Sequence, residues 1–136
     1  QVGKLITKAY SGRGVDAVAL AEDATFEDPL VRCVGKAEVS EAFRALRACQ
    51  PTHVRAPLAM PSADVDDERG AVEVWLHQRY FGMLELESTV VVRSRADGLV
   101  SSIEERWHGG RLVGALALSR RLNGLASFYL TRLLIP

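Results

Sequence analysis

The chain has 136 residues, with 17 basic and 17 acidic side chains and a formal net charge of zero. That length suits one domain with a core of its own, so neither metal nor disulfide staples are required. Apolar residues at 48 % and charged residues at 25 % argue against disorder, and the neutral total gives no general case for nucleic-acid binding.

Val2, Leu5, Ile6 and Ala9 recur at helical spacing and predict a short first helix, ended by Ser11, Gly12, Arg13 and Gly14. Residues 15–21 read as a second short helix. Residues 24–28 read as a strand stopped by Pro29, and Gly35 breaks the chain again. Val39, Ala42, Phe43 and Leu46 fall at i, i+3, i+4 and i+7, an amphipathic third helix that ends before Pro51. The segment 52–65 carries Pro57 and Pro61, which suits a sheet edge or an irregular strand, and residues 64–70 read as an acidic turn. Val72, Val74, Leu76 and Tyr80 alternate with Glu73, His77 and Arg79. Leu84, Leu86, Val90 and Val92 alternate with Glu85, Glu87, Arg93 and Arg95, with a bend at Phe81, Gly82 and Met83 between the two runs. Asp97-Gly98 signals a hairpin turn, and residues 99–107 form a last strand. Helices first and a meander of about four strands afterwards predict an α+β chain with an antiparallel sheet.

The neutral total is unevenly spread. Glu105 is the last acid; residues 1–110 carry 13 basic and 17 acidic groups, while residues 111–136 carry Arg111, Arg120, Arg121 and Arg132 and no acid. This apolar, +4 tail shows a helical stripe of Leu118, Leu122, Leu125, Tyr129 and Leu133 that Asn123-Gly124 can split. Ser119, Arg120 and Arg121 interrupt it too early for a membrane span. Cys33 and Cys49 read as free thiols of an intracellular, soluble protein. The chain opens at Gln1 rather than Met, which suits a processed or a trimmed product and leaves room for a removed plastid or mitochondrial leader.

Two carboxylates stand out. In the last strand Leu99, Ile103 and Trp107 mark the apolar face, and Glu105 shares it while Glu104 and Arg106 share the other. Asp28 alternates in phase with Phe26 and Leu30. A core-facing acid needs a partner or a raised pKa. Two such acids on different strands could line one pocket as a general base and its partner. The competing reading pairs Glu105 with an arginine such as Arg32, or puts both acids in water at strand ends. His77 reads equally as a polar pocket group or a surface histidine. His53, His77 and His108 lack metal-ligand spacing, and no phosphate loop or serine-hydrolase elbow occurs, so neither a metal nor a cofactor is expected.

The run Leu20-Ala21-Glu22-Asp23-Ala24-Thr25-Phe26-Glu27-Asp28-Pro29, Gly35, the helix with Phe43 and Leu46, and the run Val100-Ser101-Ser102-Ile103-Glu104-Glu105-Arg106-Trp107 resemble the nuclear transport factor 2-like superfamily, in its SnoaL-like and ketosteroid isomerase-like branch. The resemblance covers residues 1–110 and implies a cone: a curved antiparallel sheet, mixed at one edge, packed on three N-terminal helices. Residues 111–136 would be a basic amphipathic C-terminal helical extension. It implies Asp28 as the proton-shuttling base of the isomerases and Glu105 as the last-strand acid of the cyclases. Phe26, Trp75, Tyr80, Ile103 and Trp107 would line an apolar pocket. The two oxyanion donors of the isomerases align near Leu5 or Ile6 and near Val91, and Tyr10, near the helix end, reads as a poor stand-in.

Three functional readings follow. The first is a binder or isomerase- or cyclase-type enzyme for a small apolar molecule. The second is a non-catalytic scaffold subunit, a homodimer or protein-partner module docking through its sheet or tail. The third is a peripheral membrane contact through the arginine-rich extension. No nucleic-acid partner is expected.

Overall fold

The computed structural model describes residues 2–61 and 71–108. The expected turn at 64–70 and the expected C-terminal extension at 111–136 lie outside the described residues.

The first helix, α1 (Val2–Lys8), buries Ile6 and runs into a wider π-type turn over Ala9–Arg13. That turn buries Ala9 and Tyr10 and reverses at Gly12, whose φ of +83° only glycine adopts freely. The second expected helix does not form. Residues Ala17–Ala19 make a single 3₁₀ turn, capped by the Asp16 side chain, which accepts from the Val18 N–H at 3.1 Å. One capped turn cannot nucleate a stable helix, and the apolar residues after it are used by a strand instead.

That strand, β1 (Leu20–Glu27), starts four residues before the expected position. A register shift between Leu20 and Thr25 against the neighbouring strand buries Leu20 and Ala21 together and exposes Glu22 and Asp23 together. A bulge of this kind breaks the period of two by which a strand is recognised. A four-residue turn leads to β2 (Arg32–Val34), a three-residue strand too short to show any periodicity. The next helix, α2 (Lys36–Ala45), follows Gly35 and continues as a 3₁₀ turn over Leu46–Cys49. Its stripe buries Val39 and Phe43, each worth roughly 1.5–3 kcal/mol. Two α-helices, not three, thus occur among the described residues.

The remaining strands are β3 (Thr52–Pro61), β4 (Ala71–Tyr80), β5 (Leu84–Ser94) and β6 (Val100–Trp107). They form one six-stranded sheet in the order β2-β1-β6-β5-β4-β3. The pairing is antiparallel except between β1 and β6, which run parallel, so the sheet is mixed near one edge. The proline-bearing β3 is the other edge strand, where a missing N–H donor is tolerated; it slips register twice against β4, the second time across Pro57.

The inner face of the sheet carries Phe26, Val74, Leu76, Val90, Val92 and Ile103. These pack against Ile6, Ala9, Val39 and Phe43 from the helical layer. The outer face is polar in part, with Arg93 and Arg106 paired to Glu104, and it exposes Leu58 and Trp75. Among the described residues, no helix is long and apolar enough to cross a membrane.

Candidate functional site

Alternation along β6 sends Ile103, Glu105 and Trp107 to the inner face. Glu105 is only 6 % exposed, and Arg32 does not pair with it; that arginine bonds Glu27 at 3.1 Å. Two donors hold the Glu105 carboxylate instead. The Tyr10 hydroxyl donates to Oε2 at 2.8 Å, and the Trp107 indole N–H donates to Oε1 at 3.0 Å. The Ser88 hydroxyl also favours the anion without completing a well-formed hydrogen bond. These donors do not offset the environment. Burial first, and then the charge of Asp28, push the Glu105 pKa from 4.5 up to about 7.

Tyr10 is the residue that sequence reasoning undervalued. It stands four positions after Ile6 on the same buried helical stripe, a signal that was available. The wide turn after α1 carries its ring to the inner face of the sheet. There the Gln78 amide donates to the Tyr10 backbone carbonyl at 2.6 Å and fixes the main chain. Its ring meets Phe43 edge-on at 5.3 Å, and Phe43 meets Phe26 at 4.9 Å. Burial, then the adjacent Glu105 carboxylate, raise the Tyr10 pKa well above its usual value, so the phenol stays protonated and remains a donor. Tyr80 is pushed up in the same way, by burial and then by Glu105.

Asp28 occupies the β1–β2 turn. Its Oδ1 accepts from the N–H groups of Leu30 at 2.7 Å and Val31 at 2.6 Å, and its own N–H donates to the Val31 carbonyl at 2.9 Å. This Asx-type turn gives Asp28 a structural task beside any chemical one. A prediction follows from the geometry. Asp28→Asn keeps an oxygen for both N–H groups and changes stability little. Asp28→Ala strips the turn and costs about 1–2 kcal/mol. Urea unfolding of the two variants checks this; equal losses would show that the turn does not depend on that oxygen.

Both carboxyls line one cavity of about 500 Å³ between the inner sheet face and α2. Of the residues expected around it, Phe26, Tyr80 and Trp107 line its wall. Ile103 lies in the packed core and does not reach the cavity. Trp75 and His77 do not line this cavity. Odd positions of β4 face outward, so Trp75 is 52 % exposed and His77 bonds Glu85 at 3.1 Å beside a separate outer depression. Residues not expected at the cavity share its wall, among them Tyr10, Phe43, Leu46, Cys49 and the turn residue Phe81. Burial raises the Cys49 thiol pKa, which keeps it protonated and a weak nucleophile.

No known family's sequence profile matches the chain, and no curated protein matches it. Solved structures do match in fold. A steroid delta-isomerase from Pseudomonas aeruginosa superposes with a TM-score of 0.58 at 23 % identity, over 93 % of this chain and 88 % of that one. A SnoaL-like family protein from Agrobacterium tumefaciens gives 0.57 at 14 % identity, over 80 % and 100 %. SalBIII, an epoxide hydrolase/cyclase-like enzyme of pyran ring formation in the polyether salinomycin, gives 0.56 at 21 % identity, over 82 % and 89 %. In fold, the chain is thus similar to SnoaL-like and steroid delta-isomerase proteins, with the α+β architecture its sequence predicts.

Proposed function

We propose that the protein binds a small, mostly apolar molecule in the cone cavity and moves a proton on it, as an isomerase- or cyclase-type enzyme. One observation carries this reading: a carboxyl from β6 and one from the β1–β2 turn line a single apolar cavity, where burial pushes the first of them up to about 7. Near pH 7 Glu105 divides between its acid and carboxylate forms, the state in which one group both takes and returns a proton. As carboxylate it removes a proton from an activated carbon of the ligand; as acid it returns that proton at another carbon. The exchange is internally balanced and needs no co-reactant. Asp28 is the second carboxyl toward the same ligand. Its negative charge keeps the Glu105 proton from leaving too early.

Tyr10 supplies the complementary group. Its hydroxyl is held protonated, and when Glu105 carries the proton the phenol is released to donate to a ligand oxygen that gains charge. The similar folds of a steroid delta-isomerase and an epoxide hydrolase/cyclase-like enzyme are consistent with such chemistry at the level of architecture.

The test is a thermal-shift screen of neutral cyclic ketones, enones and epoxides, followed by proton NMR in D₂O on whatever stabilises the protein. Wild type is expected to exchange or isomerise a bound ligand. Glu105→Gln is expected to keep binding and lose roughly 10²–10⁴-fold in rate. Turnover unchanged in both Glu105→Gln and Asp28→Asn would remove the proton-transfer role.

A further inference from the structure

The rim of the cavity carries a residue that its own backbone disfavours. Between β4 and β5 the chain reverses over Tyr80, Phe81, Gly82 and Met83, and the Met83 N–H donates to the Tyr80 carbonyl at 3.1 Å. Both central residues have positive φ, +55° at Phe81 and +72° at Gly82. That pair of angles marks the mirror-image hairpin turn, which favours asparagine, aspartate or glycine at its first central position. A bulky side chain in that place strains the backbone. The Phe81 ring is also 54 % exposed, so burial does little to offset the strain.

The misfit residue sits at the cavity. The Phe81 N–H donates to the Cys49 carbonyl at 2.9 Å, which ties the turn to the end of the helical layer, and both residues line the cavity wall. Leu84, paired with Tyr80 across the same turn, lines it too and is 59 % exposed. The next positions on that face of β5 are Leu86, also in the wall, and Ser88 beside Glu105. An apolar path therefore follows β5 from the neighbourhood of Glu105 out to the Phe81 ring. The charged rim residue, Glu85, is bonded to Arg79 at 2.7 Å and to His77 at 3.1 Å.

A ligand enclosed by the cavity leaves Phe81 and Leu84 facing water, whereas a ligand that extends beyond it covers them. Resting on the reading of the cavity as a site of proton transfer, we propose that the ligand is elongated and that Phe81 selects it. A neutral reacting head sits at Glu105, and an unbranched hydrocarbon chain leaves along β5 against the Phe81 ring. The cavity of about 500 Å³ has room for the head. The chain is buried only at the rim, and each carbon it adds there strengthens binding. Phe81 touches no reacting atom; it determines which ligands are held.

Isothermal titration calorimetry of the full chain with 4-methyl-, 4-propyl- and 4-pentylcyclohexanone tests this. Affinity is expected to rise roughly twofold per added CH₂, half the gain of full burial, and so about 16-fold from methyl to pentyl, at one ligand per chain. Phe81→Asn suits the turn and removes the ring. It is expected to raise the urea midpoint and to bind the methyl compound within about twofold of wild type. It is also expected to cut the methyl-to-pentyl gain to about fourfold or less. A gain that survives Phe81→Asn, or a urea midpoint that does not rise, overturns the assignment of Phe81. A flat series in wild type overturns the elongated ligand while the apolar site stands; if Phe81→Asn then changes the sedimentation coefficient, the ring meets a second copy of the chain instead. If none of the three ketones binds, the site reading fails with it.

Discussion

Wild-type stability is expected to fall as pH rises from 5 to 8, and Glu105→Gln is expected to abolish most of that fall. The sign follows from proton counting. The Glu105 pKa is about 7 in the folded protein against an ordinary 4.5, so between these values the folded state holds a proton that the unfolded state has released. Stability is then full below about pH 4.5 and is lost as pH climbs through about 7. A shift of that size corresponds to about 3 kcal/mol of differential stability. Glutamine never ionises, so the variant escapes the loss. It is not free of cost, however. Its carbonyl oxygen serves only one of Tyr10 and Trp107, and its amide faces the other donor, which removes about 1 kcal/mol at every pH. Glu105→Gln should therefore be slightly less stable than wild type at pH 5 and about 2 kcal/mol more stable at pH 8. Urea unfolding at four pH values measures both curves. Parallel curves for wild type and variant would mean that Glu105 does not titrate in this range.

A carboxylate kept at such a cost has a physical reading. A glutamine or methionine there would serve stability better above neutral pH, so the fold carries a destabilising group at the wall of its own cavity. Local conflicts between sequence and fold of this kind collect at sites of function. The same conflict made Glu105 visible in the sequence: an acid in phase with Ile103 and Trp107 breaks the pattern of an otherwise regular strand.

Other parts were legible to different degrees. Strands β4 to β6 could be read from alternation, and the two prolines marked β3 as an edge or irregular strand. Asp28 could be placed on the Phe26 face because the second half of β1 keeps its period of two. The first half does not, because its bulge buries two neighbours and exposes the next two, so a strand there reads as a helix. Trp75 is expected at the cavity and His77 there or at the surface, although the alternation of β4 groups both with Glu73 and Arg79 on the outer face. A large aromatic is not for that reason an inward one. Tyr10 was obscured by a different cause. Alignment by counting along α1 pointed to Leu5 and Ile6, and counting cannot register the wide turn that brings Tyr10 against Glu105. Pocket walls built by distant elements, such as Phe43 and Phe81, leave no local signature at all.

Phe43→Ala is expected to have a large effect of another kind, because it couples packing to the site. Phe43 is 2 % exposed and contacts both Tyr10 and Phe26 through its ring edges. Truncating a buried phenylalanine costs about 3–5 kcal/mol, through lost burial and the space left behind. Since Phe43 already borders the cavity, the new space joins an existing one and the cost should sit at the lower end of that range, about 3 kcal/mol. The more telling consequence lies one residue away. Without the Phe43 ring beside it, Tyr10 is less firmly held over Glu105 Oε2. The carboxylate loses part of a donor that was lowering its pKa, and that pKa should climb further above 7. Val39→Ala removes buried volume from the same helix face without touching Tyr10 through a ring, so it should cost less stability and leave the Glu105 titration in place. Carbon-13 NMR of the glutamate carboxyls across pH 5 to 9, alongside urea unfolding, separates the two effects. If both variants leave the titration unmoved, Tyr10 is positioned by Gln78 and the main chain alone. If both move it equally, the change reflects general loosening of the core rather than the aromatic contact from Phe43 to Tyr10.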